Sequence, residues 1–197
     1  MLKSLFQILL LITLTGFYPP ENKAVWIVMQ GSSLTVNGST NINTFQCDIA
    51  NYNQPDTLTC LKNTPKGMVL AMSGKLNLSI EAFDCHNRMM TSDLRKTLKA
   101  KDFPILSVKF ITLNGFPDFK NPTKITGLVD IGLAGVIKRF EINYLFSGDD
   151  KKQVYLKGDQ RIHFSDFNLK PPSKLGGVIK AKDELLVEFK LNLKPIG

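Results

Sequence analysis

Histidine, cysteine and tryptophan are all scarce in this chain: two, three and one among 197 residues. Acid–base and nucleophilic catalysis near neutral pH relies heavily on histidine, and neither of the two is well placed for it. His86 follows Cys85 directly within Asp84-Cys85-His86-Asn87. Side chains one residue apart on an extended chain diverge, which argues against a thiol nucleophile. His163 alternates with Ile162 and Phe164 and is expected to point away from the core. There is no G-x-S-x-G, no H-E-x-x-H and no P-loop. The acid pairs Asp149-Asp150 and Asp183-Glu184 fall in expected turns, where solvated charge is the reading. No catalytic residue is assigned, and the chain is not expected to be an enzyme. No two of Cys47, Cys60 and Cys85 have C-x-x-C or metal-ligand spacing, so no metal site and no cofactor is expected. The odd count leaves one thiol free or intermolecular.

Long apolar runs are also missing. The only candidate, Leu5 to Leu14, is shorter than the ~20 residues that span a bilayer. With Lys3 before it and Thr15-Gly16 after it, the stretch fits a secretory signal peptide over residues 1–16. An uncleaved anchor or buried helix is the competing reading. The expected location is periplasmic or secreted, where disulfides persist. Net charge is +8, and loss of Lys3 with the leader removes only one of those charges. The lysines are scattered over strand ends and polar faces. Nucleic-acid binding, which needs a cluster, is therefore not expected, while peripheral contact with an anionic membrane surface is compatible.

What is present is alternation. Leu34 and Val36; Leu76, Leu78 and Ile80; Leu106, Val108 and Phe110; Phe140, Ile142, Tyr144 and Phe146; and Leu185 through Leu193 each place apolar residues at every second position, the period of a half-buried strand. Asn37-Gly38, Lys66-Gly67, Asn114-Gly115, Ser147 to Asp150 and Gly176-Gly177 supply turn signals. One stretch, 92–101, has a helical repeat in Leu94 and Leu98. Ser92 is its expected cap and Asp93 its first-turn acid, and Phe103-Pro104 stops it. One short helix among about eight strands, with no linker, predicts a single all-β domain over 22–197, a sandwich or barrel. Alternation alone does not separate a filled core from a hollow one, nor an apolar interior from the apolar exterior of an outer-membrane barrel. Against the latter, there are no aromatic girdles and no terminal aromatic.

Three segments carry a resemblance. Leu98-Lys99-Ala100-Lys101-Asp102-Phe103-Pro104-Ile105, Gly127 to Lys138, and Asp166-Phe167-Asn168-Leu169-Lys170-Pro171-Pro172 resemble, in order, three motifs of the YceI-like family. Asn168 and Ile137 stand where that family usually has Gly and Thr, and its early histidine has no counterpart in Asn37 to Asn41. The resemblance implies an extended, eight-stranded antiparallel lipocalin-like β-barrel, usually exported, that holds a polyisoprenoid or other long apolar or amphiphilic chain. It also implies a Cys47–Cys85 disulfide, with Cys47–Cys60 as the second choice. On this reading the ligand-lining positions are Trp26, Leu76, Leu78, Ile80, Val108, Phe110, Phe140, Ile142, Tyr144, Leu156, Val187 and Phe189. The competing functions are a small outer-membrane β-barrel and a structural envelope protein with a filled core. The sequence leaves the oligomeric state open, a homodimer included.

Overall fold

The computed structural model describes residues 23–61, 69–151 and 153–196. The leader expected over residues 1–16 and the turn expected at Lys66-Gly67 lie outside the described residues. The alternating segments form β1 (Lys23–Thr40), β2 (Thr44–Tyr52), β3 (Thr57–Leu61), β4 (Leu70–Ser73) and β5 (Lys75–Ser79). Helix α1 (Arg88–Thr97) follows, then β6 (Ile105–Phe110), β7 (Thr112–Leu113), β8 (Thr123–Leu133), β9 (Val136–Gly148), β10 (Val154–His163), β11 (Ser173–Lys174) and β12 (Ile179–Ile196).

These twelve strands form one antiparallel sheet. The expected count was eight, and the difference comes from interruptions. β4 and β5 are one strand broken at Gly74, whose φ of +143° only glycine adopts readily. β6 and β7 are one strand broken at Ile111. Across the break the register slips by one, from Leu70 opposite Leu113 to Lys75 opposite Lys109, as a β-bulge requires. β2 and β3 share one side of β1, β2 along its C-terminal half and β3 along its N-terminal half. Around the circumference the order is then β1, β12, β10, β9, β8, β6/β7, β4/β5 and β2/β3. The sheet curls back on itself where β3 meets β4, with Thr59 opposite Ser73 and Cys60 opposite Met72. Further along, the Asn77 N–H donates to Tyr52 Oη at 3.2 Å and links β5 to β2.

Three local expectations are corrected. The pair Asn37-Gly38 is not a turn but lies inside the 18-residue β1. Its glycine is there because the Phe45 ring lies against it, where a Cβ would collide. The reversal comes later, at Asn41 to Asn43, where Thr40 Oγ1 accepts from the N–H groups of Ile42 and Asn43 at 3.1 and 3.0 Å. The helix begins four residues before the expected start. Asn87, rather than Ser92, caps it by accepting from the N–H groups of Met89 and Met90, both at 3.0 Å, which leaves Asp93 in mid-helix as an ion-pair partner of Lys174. The residues after Thr97 turn out of the helix through Lys99, in the left-handed region at φ +56°.

Cys47 and Cys85 are bonded, 38 residues apart in sequence, and Cys60 is free and buried. The bridge ties β2 to the segment that leads into α1. Arg95 reinforces this by donating to the carbonyls of Phe83, at 3.0 Å, and Glu81. The helix is thereby held across one end of the barrel, with Leu94 buried on its inner side and Leu98 buried just past its last turn. Burial pushes the Cys60 thiol up to about 11, so it stays protonated and unreactive near neutral pH.

Candidate functional site

Register sorts the inward side chains into layers. Tyr144, Gly158, Phe189 and Leu34 face one another across β9, β10, β12 and β1. The next layer toward α1 contains Ile142, Gln160, Val187 and Val36, and beyond it lie Ile162 and Leu185. The layer on the other side contains Phe146, Leu156 and Leu191. Below that, Trp26 packs with Phe116 and Phe119 at ring distances of 6.4 and 6.2 Å, and Phe119 packs on Phe146 at 6.3 Å.

The barrel is therefore filled in one half and hollow in the other. Between the floor formed by Tyr144, Phe189 and Leu191 and the cap made by Phe83, Leu94 and Leu98 lies an apolar cavity. Its volume is about 90 Å³, several times the ~10–15 Å³ that one water needs. Its polar lining residues are Ser33, Tyr52, Tyr144 and Gln160, and no charged side chain lines it.

Of the twelve positions expected to line a lumen, eight do: Leu76, Leu78, Val108, Phe110, Ile142, Tyr144, Val187 and Phe189. Four face the interior elsewhere. Trp26 belongs to the aromatic plug. Leu156 sits in the layer beneath Tyr144. Ile80 is fully buried in a 3-10 turn just past β5. Phe140 leans on Phe167, ring to ring at 6.1 Å. Alternation separates inward from outward but carries no information about depth along the barrel. Leu94 and Leu98, from and just past the helix, were missed because they appeared only as a helical repeat. Gln160 did leave a signal, as the one polar residue at an inward position between Leu156 and Ile162.

The polar groups differ in how well they are paired. Tyr52 Oη bonds Asp56 and accepts from Asn77, and burial together with the Asp56 bond raises its pKa. Gln160 Nε2 donates to the Arg161 carbonyl at 2.9 Å. Tyr144 is almost wholly buried, its hydroxyl has no partner, and burial alone raises its pKa. Gly158, opposite both Tyr144 and Phe189, leaves room for their rings to meet edge-on at 5.9 Å.

The outer wall is the reverse of the interior. Lys124, Asn143, Lys157, Asp159, Glu188 and Lys190 are exposed and line a broad polar depression on it. A bilayer-embedded barrel carries its apolar band on the outside; here the apolar side of each strand is the inner one. No helix among the described residues is long and apolar enough to cross a membrane. Among the described residues no group of three His, Cys, Asp or Glu could hold a metal ion.

No family model matches this chain, and no curated protein does. Solved structures do. A polyisoprenoid binding domain from Saccharophagus degradans, implicated in plant cell wall breakdown, superposes with a TM-score of 0.58 at 12% identity, over 86% of this chain and 97% of that one. BcnA of Burkholderia cenocepacia gives 0.56 at 15% identity, over 82% and 95%. A Campylobacter jejuni YCEI protein gives 0.45 at 18% identity, over 62% and 72%. The first two establish the architecture over almost their whole lengths.

Proposed function

We propose that this chain, whose fold is the extended lipocalin-like barrel of YceI-like proteins, is an exported carrier that sequesters a polyisoprenoid or fatty-acyl chain in the cavity beneath α1. The observation that carries the reading is the cavity itself: set inside the barrel, lined by apolar side chains from most of the strands, and free of charge. A chain threaded there gains about 0.8 kcal/mol for each CH₂ removed from water. The shared fold with a polyisoprenoid binding domain supports the ligand class. The Cys47–Cys85 bond supports export, because such bonds persist in oxidising compartments. No catalytic step is part of the proposal.

Uptake at an anionic membrane surface belongs to the same reading. At the helix-capped end, Ile42 and Met89 are about two-thirds exposed and flank an apolar surface groove. Lys96, Lys99 and Lys101 lie on the neighbouring face of that end. Exposed apolar side chains with lysines on the adjoining face suit shallow contact with acidic headgroups.

Native mass spectrometry of the protein purified without detergent tests the carrier reading. The wild type is expected to retain a lipid mass or to take up an added prenyl chain. Val187→Trp, which fills the cavity, is expected to fold and to bind none. A wild type that carries only its own mass and takes up no chain overturns the proposal.

A further inference from the structure

Tyr144 stands at the floor of the cavity, on the boundary with the aromatic plug. Its ring lies 6.4, 6.2 and 5.9 Å from those of Phe110, Phe146 and Phe189. The residue is 1% exposed and its hydroxyl meets no hydrogen-bond partner. Leaving such a group unpaired inside a protein is costly, and native structures pair nearly all of them. A polar atom brought by a bound molecule meets the same need as the ordered water that usually satisfies such a group.

We infer that Tyr144 Oη is the anchor for one uncharged oxygen of the bound chain, a carbonyl, ether or hydroxyl, delivered to the cavity floor. The inference rests on the carrier reading and specifies its ligand. Two features fix the chemistry. Burial keeps the phenol protonated, so it presents an O–H that donates and lone pairs that accept. No Lys, Arg, Asp or Glu lines the cavity, so a carboxylate or phosphate at this depth would be a buried charge without a counter-ion, a far larger penalty than an unpaired hydroxyl. The ligand class is therefore a long apolar chain with a neutral oxygen that enters first, and any charged group it carries stays at the rim. Gly158, beside Tyr144 in the same layer, lets the Phe189 ring lie over its backbone, where a Cβ would collide with it, and so seats that ring against Tyr144.

The test compares hexadecane with 2-hexadecanone, each supplied from a cyclodextrin complex to delipidated wild type and Tyr144→Phe, with Kd read by calorimetry. Wild type is expected to bind the ketone about tenfold more tightly than the alkane, the worth of one buried hydrogen bond. Tyr144→Phe is expected to lose that preference while its alkane affinity holds. A ¹³C-labelled carbonyl should show a lowered stretching frequency in wild type and not in the variant. Equal binding of ketone and alkane by wild type overturns the anchor and leaves the carrier reading standing. A ketone preference that survives Tyr144→Phe also overturns it, placing the polar contact elsewhere. Failure of both probes to bind either protein overturns the carrier reading itself.

Discussion

A buried hydroxyl with no partner destabilises the ligand-free fold, and this gives Tyr144 a second signature besides binding. In delipidated protein, Tyr144→Phe removes the orphan group without removing the ring and is expected to raise stability by about 1 kcal/mol in urea unfolding. A loss of stability would mean that the hydroxyl is paired. A different residue-scale effect belongs to His86 and Asp48, which meet at 2.9 Å beside the disulfide. The Asp48 hydrogen bond raises the His86 pKa. Burial works to raise that of Asp48, but hydrogen bonds from His86, Gln46 and Thr35 outweigh it and the net shift is downward. The histidine contribution is complete below the unfolded value of about 6.5 and disappears as pH rises through the folded one. The aspartate contribution is complete above 3.8 and disappears as pH falls through its folded value. The melting-temperature gap between wild type and His86→Ala is therefore expected to be widest near pH 5.5 and to close by about pH 8. A gap independent of pH would show that the ion pair contributes nothing.

Elements were legible in the sequence wherever side-chain chemistry fixes them locally, and less so where a distant contact decides. Alternation located β5, β6, β9 and β12 because each buries one face. Asn37-Gly38 reads as a hairpin turn, yet the long-range contact with Phe45 overrides the local preference. The genuine tight hairpin turn, Ala134-Gly135, with φ of +50° and +81°, lies within Gly127 to Lys138, where the resemblance implies a strand pair. The helix was displaced because two residues could cap it and the nearby Asp84–Cys85 segment, held to β2, favours the earlier one. That tether is also testable. Closing a loop of 38 residues restricts the unfolded chain by up to about 4 kcal/mol on the chain-entropy account. Cys47→Ala with Cys85→Ala is expected to cost 2–4 kcal/mol in thermal or urea unfolding, on the order typical of such bonds. An unchanged midpoint would show that the bridge does not hold β2 to the helix.

Over the whole molecule, the division of the barrel into a filled half and a hollow half is what turns a common architecture into a candidate carrier. The sequence revealed which side chains face inward, and hence eight of the lining positions, through period-2 patterning. It did not reveal the boundary between plug and cavity. Depth depends on register, and register depends on the irregularities at Gly31 and Gly74, which leave no trace in the alternation. Trp26 and Leu156 share their face with Val187 and Ile142 but lie in or below the layer beneath Tyr144, where Phe119 and Phe146 fill the space and the partly exposed Phe116 stacks on Trp26. The most direct test is a crystal structure of the delipidated protein loaded with a terminally brominated long-chain ketone. Continuous density is expected to run from beneath Leu94 and Leu98 to the Tyr144 layer, with the anomalous bromine peak toward the helix. An empty cavity, with the chain on the outer wall or absent, would contradict the account.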